Sequence, residues 1–250
     1  MRALLLAAGR GVRLTGEADD KPPKSLLQFG GQSLLARHIE ILQQLGVDAL
    51  TIVIGYRQND ILGEISAIAP SLPIETIENS RFHEGSLVSL WHARERLTGG
   101  EDVLLMDADV LYGPALLAPL IASGKADCLS YDRDFEAGDE PVKLCMKNGT
   151  AVEFRKIVDV TYDTVGEWPG FARLEASSAA KLAGHLQEFI DRGEVNAPYE
   201  EAFRTLLLEA PAGQFAYIDI TGTPWIEIDF PEDVIRAERE ILPLLSATGR

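Results

Sequence analysis

Short apolar runs alternate with longer amphipathic segments along the first half of the chain. Four runs rich in apolar residues predict buried strands, at residues 3–7, 50–54, 74–77 and 102–106. Three segments with apolar residues every three or four positions predict helices, at residues 34–45, 60–68 and 86–97. Ser33 is suited to cap the first of these helices and Gly46 to end it. The succession of strand, helix and strand predicts a mixed, mainly parallel sheet that is sandwiched between helices.

The second half of the chain has a different pattern, in which shorter strands follow one another more closely. Six runs predict strands, at residues 128–132, 142–147, 152–157, 171–174, 215–219 and 225–228. Asn148 and Gly149 stand between the second and third of them and indicate a type I′ turn. Three periodic segments predict helices, at residues 177–192, 198–209 and 231–244. We interpret residues 1–250 as a single α/β domain and residues 132–213 as a small α+β insertion that completes a pocket.

A glycine-rich loop follows the first predicted strand. Gly9 and Gly11 come directly after the apolar run, and successive backbone N–H groups in such a loop form an anion-binding nest. Arg10, Arg13 and Lys24 would add charge-assisted hydrogen bonds to phosphate oxygens. The loop lacks the Gly-Lys-Ser/Thr ending of a Walker A motif and the third glycine of a dinucleotide-binding motif. An ordinary turn between a strand and a helix is the alternative, but the nearby cations favour a polyphosphate site.

Charge is distributed unevenly along the 250 residues. The first 24 residues contain five basic and three acidic side chains, whereas the rest contains 18 basic and 36 acidic ones, and the formal net charge is −16. A locally positive loop on an acidic chain favours an anionic ligand. The overall acidity argues against binding to nucleic acid or to anionic membranes, because both require a basic face.

Cysteine usage and hydropathy bear on the compartment in which the protein works. Cys128 and Cys145 lie in apolar, strand-like segments, which predicts reduced core residues rather than a disulfide. The apolar run at residues 4–8 is too short for a signal peptide, and no run approaches the ~20 residues of a membrane span. We therefore expect a soluble cytoplasmic protein.

Acidic residues follow two of the predicted strands. Asp107 and Asp109 come after the strand at residues 102–106, and Asp229 comes after the strand at residues 225–228. Ligands of open α/β sheets bind outside the carboxyl ends of strands. Carboxylates beside a triphosphate would repel it unless a divalent cation lay between them, and Mg²⁺ binds both carboxylate and phosphate oxygens. A cap of the final helix is the alternative role for Asp229, and the two roles are compatible.

Two segments of the N-terminal region resemble a known family signature. Residues 6–14, Leu-Ala-Ala-Gly-Arg-Gly-Val-Arg-Leu, and residues 23–26, Pro-Lys-Ser-Leu, resemble the signature of the sugar-phosphate nucleotidyltransferase superfamily. The resemblance implies a Rossmann-like fold and the transfer of a nucleoside monophosphate to a phosphorylated small molecule, with release of pyrophosphate. It also implies in-line attack at the α-phosphorus without a covalent enzyme intermediate.

The same resemblance implies roles for individual residues. The nucleotide phosphates would lie against the loop formed by Ala7, Ala8, Gly9, Arg10 and Gly11. Arg13 would hold the leaving β- and γ-phosphates, and Lys24 would stand near the α-phosphate and the acceptor. Asp109 and Asp229 would be the magnesium ligands, with Asp107 and Glu227 as second choices.

Further segments resemble one branch of this superfamily, the phosphocholine and phosphonate cytidylyltransferases. They are residues 78–79, 85–91, 107–109, 165–171, 199–201 and 225–229. The branch implies CTP as the nucleotide and places four residues near the cytosine: Ala8, Asn79, Gly85 and Ser86. A helix cap is the alternative role for Ser86.

The branch also implies a small phosphorylated or phosphonate alcohol or amine as the acceptor, similar to phosphocholine or 2-aminoethylphosphonate. Polar and aromatic side chains in and after the predicted insertion are the candidates for binding it: Asp132, Glu167, Trp168, Tyr199, Glu201 and Glu227. Aromatic residues make up only 7% of the chain, so other small acceptors stay open. A homodimer is compatible with the sequence.

Three rival interpretations follow from the same residues. A sugar-1-phosphate nucleotidyltransferase that uses UTP, dTTP or GTP belongs to the same superfamily. A metal-dependent glycosyltransferase would use Asp107-Ala108-Asp109 as a D-x-D motif, and it would release a nucleoside diphosphate rather than pyrophosphate. A non-catalytic nucleotide-binding module is the third, and the joint presence of Arg13, Lys24, Asp109 and Asp229 argues against it.

Overall fold

The computed structural model describes residues 1–16, 21–125, 127–136 and 138–248. The strands of these residues are β1 Arg2–Ala7, β2 Gln28–Phe29, β3 Gln32–Ser33, β4 Ala49–Ile54, β5 Ile74–Glu78, β6 Val103–Asp107, β7 Val110–Tyr112, β8 Asp127–Tyr131, β9 Lys143–Lys147, β10 Thr150–Arg155, β11 Thr164–Glu167, β12 Phe171–Leu174, β13 Phe215–Asp219 and β14 Trp225–Glu227.

The helices of the same residues are α1 Val12–Thr15, α2 Leu34–Gln44, α3 Gln58–Ile68, α4 Ser86–His92, α5 Arg94–Leu97, α6 Pro114–Ala122, α7 Ala176–Asp191, α8 Glu200–Glu209, α9 Pro231–Arg236 and α10 Leu242–Thr248. A 3-10 turn at Lys24–Leu26 and a π-helical turn at Ala237–Ile241 complete the set. No helix of the described ranges is long and apolar enough to cross a membrane.

The central sheet has seven strands in the order β13-β8-β12-β6-β1-β4-β5. β1 pairs in parallel with both β4 and β6, and the pairs β4–β5 and β13–β8 are also parallel. β12 alone runs antiparallel, between β6 and β8. The prediction of a mixed, mainly parallel sheet is therefore confirmed. All six residues of β4 are buried, as expected for a strand covered by helices on both faces.

Two hydrophobic clusters cover the two faces of this sheet, because successive strand residues point to opposite sides. Leu4 of β1 packs in the cluster that contains Leu182 of α7 and Phe203 of α8. Its neighbour Leu5 packs in the other cluster, which contains Ile39 of α2. The predicted sandwich of helices is thus confirmed, and the carboxyl ends of β1 and β6 open on one edge between the two layers.

A second, smaller sheet has the strand order β10-β9-β11 and lies within the predicted insertion at residues 132–213. The insertion also contributes β12 to the central sheet, so it is not separate from the main core. Asn148 and Gly149 both have positive φ angles, of 51° and 74°, as a type I′ turn requires. Cys128 and Cys145 are buried and free, as predicted.

Some elements were not predicted by periodicity. Strands β7 and β11 and the β2–β3 hairpin have four residues or fewer, which is too short to show a period. Helix α6 is apolar on nearly every position and contains Pro119, so no polar face identifies it. The helix predicted at residues 86–97 is interrupted at Ala93, whose N–H donates to Leu90 O three residues earlier, as in a 3-10 turn.

Candidate active site

A cleft of about 400 Å³ opens at the carboxyl ends of β1 and β6. The loop that follows β1 forms one wall, and Asp107 to Asp109 form the floor. The opposite wall is formed by Pro198, Tyr199 and Glu200, at the start of α8. The location agrees with the rule that open α/β sheets bind ligands outside the carboxyl ends of their strands.

Lys24 joins the two carboxylates that the sequence marks as metal ligands. Its Nζ lies 2.9 Å from Asp109 Oδ2 and 2.6 Å from Asp229 Oδ1. Burial by itself lowers the pKa of Lys24, but the two adjacent carboxylates outweigh it, so the net shift is upward. The ammonium group is therefore charged throughout the physiological range, at the point where three distant parts of the chain meet.

Gly11 provides the space that the Lys24 side chain needs. Its φ of +65° lies in the left-handed region, and a Cβ atom there would stand 2.8 Å from Lys24 Cγ. Glycine is therefore favoured at this position both by the backbone conformation and by the contact with the lysine stem.

Arg13 lies on the outer side of the same carboxylate. Its guanidinium stands 2.9 Å from Asp229 Oδ1 and 2.6 Å from Glu140 Oε2, and it lies over the ring of Phe230 at 5.7 Å. Lys156 Nζ also contacts Glu140 Oε2, at 3.0 Å. Glu140 thus connects two cations at the rim of the cleft.

The carboxylate oxygens of Asp109, Glu227 and Asp229 lie within 4.8 Å of one another. Burial, together with the charges of Asp109 and Asp229, raises the pKa of Glu227 well above its usual range. Such crowding of carboxylates disfavours full ionisation unless a cation is present. These oxygen donors, facing the phosphate-type loop, fit a hard divalent ion such as Mg²⁺.

The alternative role of Asp229 as a helix cap is not what the structure shows. Asp233 Oδ2 accepts hydrogen bonds from the backbone N–H groups of Asp229 and Phe230, at 2.9 and 2.7 Å. The Asp229 side chain points instead toward Lys24 and Arg13. The start of α9 is therefore stabilised by Asp233, and this leaves the Asp229 carboxylate free to pair with Lys24 and Arg13.

Asp107 differs from its neighbour Asp109 in its surroundings. Tyr199 donates its hydroxyl hydrogen bond to Asp107 Oδ2 at 2.8 Å, and Gly170 closes over the same oxygen, since a Cβ there would stand 2.6 Å away. Burial and the charge of Asp109 raise the pKa of Asp107 well above its usual range. Asp107 is thus held by Tyr199, whereas Asp109 faces Lys24.

The residues predicted near the base lie around the start of α4. Ser86 lines the cleft, and its hydroxyl accepts the Tyr199 N–H at 3.0 Å rather than capping its own helix. Gly85 packs against backbone, because a Cβ there would stand 2.3 Å from Ala197 O. Asn79 is fully buried and holds a turn, donating to Ser89 Oγ at 3.0 Å and accepting the Arg81 N–H at 2.8 Å.

Among the other predicted nucleotide-binding residues, Ala7, Ala8, Gly9 and Gly11 line the cleft. Arg10 lies with its guanidinium 5.8 Å from the centre of the Tyr56 ring. The loop predicted to bind phosphate therefore forms one wall of the cleft as a contiguous segment.

The predicted acceptor-binding residues are distributed over three places. Tyr199 and Glu227 line the cleft itself. Asp132 and Glu167 line an adjoining cavity that shares Glu227, where Asp132 Oδ2 accepts the Trp225 Nε1–H at 2.8 Å. Burial and the charge of Asp132 raise the pKa of Glu167 to about 7.

Glu201 and Trp168 lie away from the cleft. Glu201 forms a bidentate ion pair with Arg155 in a neighbouring groove. Trp168 is buried in the core, stacks on Phe203 at 5.6 Å and donates its indole N–H to Phe171 O at 3.0 Å. Its position does not support a direct contact with an acceptor.

Three residues of the site were not predicted as site residues, although Glu200 lies in the segment 199–201 that resembles the branch. Glu200 and Lys156 line the cleft. His38 lies beneath its floor, with Nε2 3.2 Å from Ala108 O and Nδ1 2.9 Å from the Tyr112 hydroxyl. Burial lowers the pKa of His38 to about 4. A single histidine in a helical apolar stripe, or one acid among many, gives no pattern from which a site could be inferred.

The first 168 residues carry the evidence for the family. Residues 3–168 match the family described as the MobA-like NTP transferase domain. The chain belongs to this family. The prediction of the nucleotidyltransferase superfamily is thereby confirmed. The cytidylyltransferase-like branch is supported as well, since a CMP-phosphonate synthase is among the relatives and a cytidylyltransferase is among the similar structures.

Several relatives match nearly the whole chain. The chain is 30% identical to the UTP–glucose-1-phosphate uridylyltransferase of Haloferax volcanii, over 96% of both chains. It is 26% identical to the CMP-5'-(3-aminopropyl)phosphonate synthase of Streptomyces rubellomurinus, over 97% of this chain. The chain spans only 39% of the length of that synthase.

A solved structure shares the fold. The CTP:phosphocholine cytidylyltransferase of Streptococcus pneumoniae superposes with a TM-score of 0.74 over 95% of this chain and 97% of the other, at 18% identity. The predicted Rossmann-like nucleotidyltransferase fold is confirmed by this likeness.

Proposed function

We propose that this chain is a magnesium-dependent nucleotidyltransferase that transfers CMP from CTP to a small phosphate or phosphonate acceptor carrying an alcohol or amine. The observation that carries the proposal is the contact of Lys24 with both Asp109 and Asp229 beside the glycine loop. A cation and two carboxylates from three separate segments meet there, at the edge of the sheet where a triphosphate would lie.

In the proposed reaction, a phosphate or phosphonate oxygen of the acceptor attacks the α-phosphorus and forms a new P–O bond. The bond between the α-phosphorus and the oxygen that bridges it to the β-phosphate breaks, and pyrophosphate leaves. The backbone N–H groups of the loop at residues 8–11 would bind the phosphates. Lys24 would exchange its carboxylate partners for the α-phosphate and offset the charge that develops there. Arg13 would hold the leaving pyrophosphate, and the wall opposite the loop would orient the acceptor.

Asp109 and Asp229, with Glu227 beside them, would hold the Mg²⁺ ion. When bound, the ion would neutralise phosphate charge and polarise the reacting phosphoryl group. Such an ion would offset the charge of these three crowded carboxylates. Lys24 and Arg13 also offset the charge of Asp229 through their ion pairs with it.

The choice of CTP is supported by the relative named as a CMP-phosphonate synthase and by the fold likeness to a phosphocholine cytidylyltransferase. A second candidate is a sugar-1-phosphate nucleotidyltransferase that uses UTP. The specific observation in its favour is the uridylyltransferase of Haloferax volcanii, which matches over 96% of both chains. A D-x-D glycosyltransferase is disfavoured, because residues 3–168 match the NTP transferase domain.

A pyrophosphate-release assay tests the proposal. Four nucleoside triphosphates are combined with phosphocholine, 2-aminoethylphosphonate, glycerol phosphate and glucose 1-phosphate, with Mg²⁺ and with chelator. We expect release with CTP and a phosphate or phosphonate acceptor, and loss of release with chelator. An advantage of UTP with glucose 1-phosphate would support the second candidate, and release of nucleoside diphosphate instead of pyrophosphate would support a glycosyltransferase. The predicted cytoplasmic location and homodimer stay predictions.

A further inference from the structure

One carboxylate of the cleft differs from all those described above. Glu200 is the first residue of α8 and lines the wall opposite the glycine loop. Its Oε2 atom is buried and has no hydrogen-bond partner among the residues that the structure describes. A buried carboxylate oxygen without a partner is costly, so such groups are normally hydrogen-bonded or paired.

The cations of the cleft already have other partners. Lys24 contacts Asp109 and Asp229, and Arg13 contacts Asp229 and Glu140. Lys156 lines the same cleft, but its Nζ lies 3.0 Å from Glu140. The charge of Lys156 acts on Glu200, but no cation of the described residues forms an ion pair with it.

The acids around Glu200 cannot serve as its partners either. Asp107 accepts the Tyr199 hydroxyl, and Glu227 belongs to the carboxylate group assigned to the metal. Burial raises the pKa of Glu200, although its own backbone N–H and the charge of Lys156 oppose this shift. A bound group that fits here must donate hydrogen bonds, and a positive charge on it would gain most from its surroundings.

We propose that Glu200 binds a protonated amine of the acceptor and so selects amino-phosphonates or amino-phosphates over the matching alcohols. This inference rests on the proposed function, in which the anionic end of the acceptor lies by Lys24. Glu200 lines the same cleft as Lys24, so one small molecule with a cationic and an anionic end can contact both. A neutral hydroxyl could donate one hydrogen bond but would leave the Glu200 carboxylate without an ion-pair partner.

Calorimetric titration of the full chain in the presence of Mg²⁺ tests whether an amine is preferred over a hydroxyl. The probes are 2-aminoethylphosphonate and 2-hydroxyethylphosphonate, which differ only in the amine and the hydroxyl. We expect the amine to bind about ten- to hundredfold more tightly, since hydrogen bonds to charged groups are the strong ones. In Glu200→Gln this ratio should fall close to one, mainly through weaker binding of the amine.

Glu209→Gln is the matched control, because it removes one charge at the other end of α8 from a side chain that is 66% exposed. Its binding ratio should equal that of the wild type. Thermal melting of both variants checks that each is folded. Equal binding of the two probes to the wild type, binding of neither, or an unchanged ratio in Glu200→Gln would each overturn the role of Glu200.

Pyrophosphate release in the same preparations distinguishes the two proposals. Release with both probes at equal efficiency would support the proposed function and remove the amine selectivity. Absence of release with every nucleotide would contradict the proposed function, while the binding ratio would still decide the role of Glu200.

Discussion

The two walls of the cleft are prepared for their ligands in opposite ways. On the loop side, Lys24 and Arg13 are already paired with Asp109 and Asp229, so the charges compensate one another. On the opposite side, Glu200 has a buried oxygen without a partner among the described residues. Under the proposed function, the loop side would exchange internal ion pairs for a phosphate and a metal ion, whereas the far side would receive a positive charge.

The largest expected effect comes from removing the cation of the loop side. Lys24→Ala should lower the rate of pyrophosphate release by at least about 100-fold, since removing one preorganised charge donor typically costs this much. Lys21→Ala is the control, because Lys21 is an exposed cation of the same region. Circular dichroism checks the fold. Near-normal turnover in Lys24→Ala would contradict the role assigned to this wall.

A second prediction concerns His38, which lies beneath the floor of the cleft, between the two walls. The His38 pKa of about 4 lies below the ordinary 6.5 of the unfolded chain, so the unfolded state binds the proton more readily. Stability from His38 is therefore full above about pH 6.5 and is lost as the pH falls toward 4. Between pH 8 and pH 5 the loss should be about 2 kcal/mol.

Denaturant unfolding at the two pH values measures this loss. The variant His38→Gln cannot take up the proton, so the difference between wild type and variant isolates the histidine from the buried acids. Those acids, Asp107 and Glu227, have raised pKa values, so their protonation stabilises the folded protein as the pH falls. Parallel pH profiles of the two proteins would contradict the assignment.

A third prediction tests the fit between the loop and Lys24. Gly11→Ala would place a Cβ 2.8 Å from Lys24 Cγ, whereas nothing lies within 4 Å of a Cβ at Gly16. Gly11 is in the left-handed helical conformation, in which a side chain costs about 1–2 kcal/mol, and Gly16, with φ 68° and ψ −162°, is in a region that is still less open to other residues. The control therefore carries at least the same backbone cost. We expect turnover to fall about tenfold or more in Gly11→Ala only, because a displaced Lys24 no longer meets the reacting phosphate. Equal losses in the two variants would reduce the effect to backbone strain.

The smallest expected effect concerns the rim that joins the two walls. Glu140 binds both Arg13 and Lys156, and Glu140→Gln should free these cations for phosphate and lower KM for the nucleotide about two- to threefold. The gain should shrink as salt is added, since the groups are exposed. Glu136→Gln, on the same loop but paired with Arg236, should leave KM unchanged. A rise of KM in Glu140→Gln would show that Glu140 assists binding.

The sequence predicted the loop wall far better than the opposite one. The segments at residues 6–14 and 23–26 are continuous, so their spacing alone indicates a phosphate site, and the strand ends place Asp109 and Asp229 at the same edge. The opposite wall is formed by Pro198, Tyr199 and Glu200, and the partners of these side chains depend on how α8 packs against the cleft. Trp168 illustrates the difficulty, because an aromatic residue predicted to meet the acceptor is packed in the core.

By itself, the sequence determined the alternation of strands and helices, the mainly parallel sheet and the family, because periodicity and contiguous motifs are local properties of the chain. Only the tertiary structure decided which partner each charge has. In the folded chain, Asp107 accepts a hydrogen bond from Tyr199, and Asp233 caps the start of α9. The Oε2 atom of Glu200 has no hydrogen-bond partner among the described residues. The reason is physical: hydrogen bonds and burial depend on which distant segments pack together, and the spacing of residues along the chain does not predict those contacts.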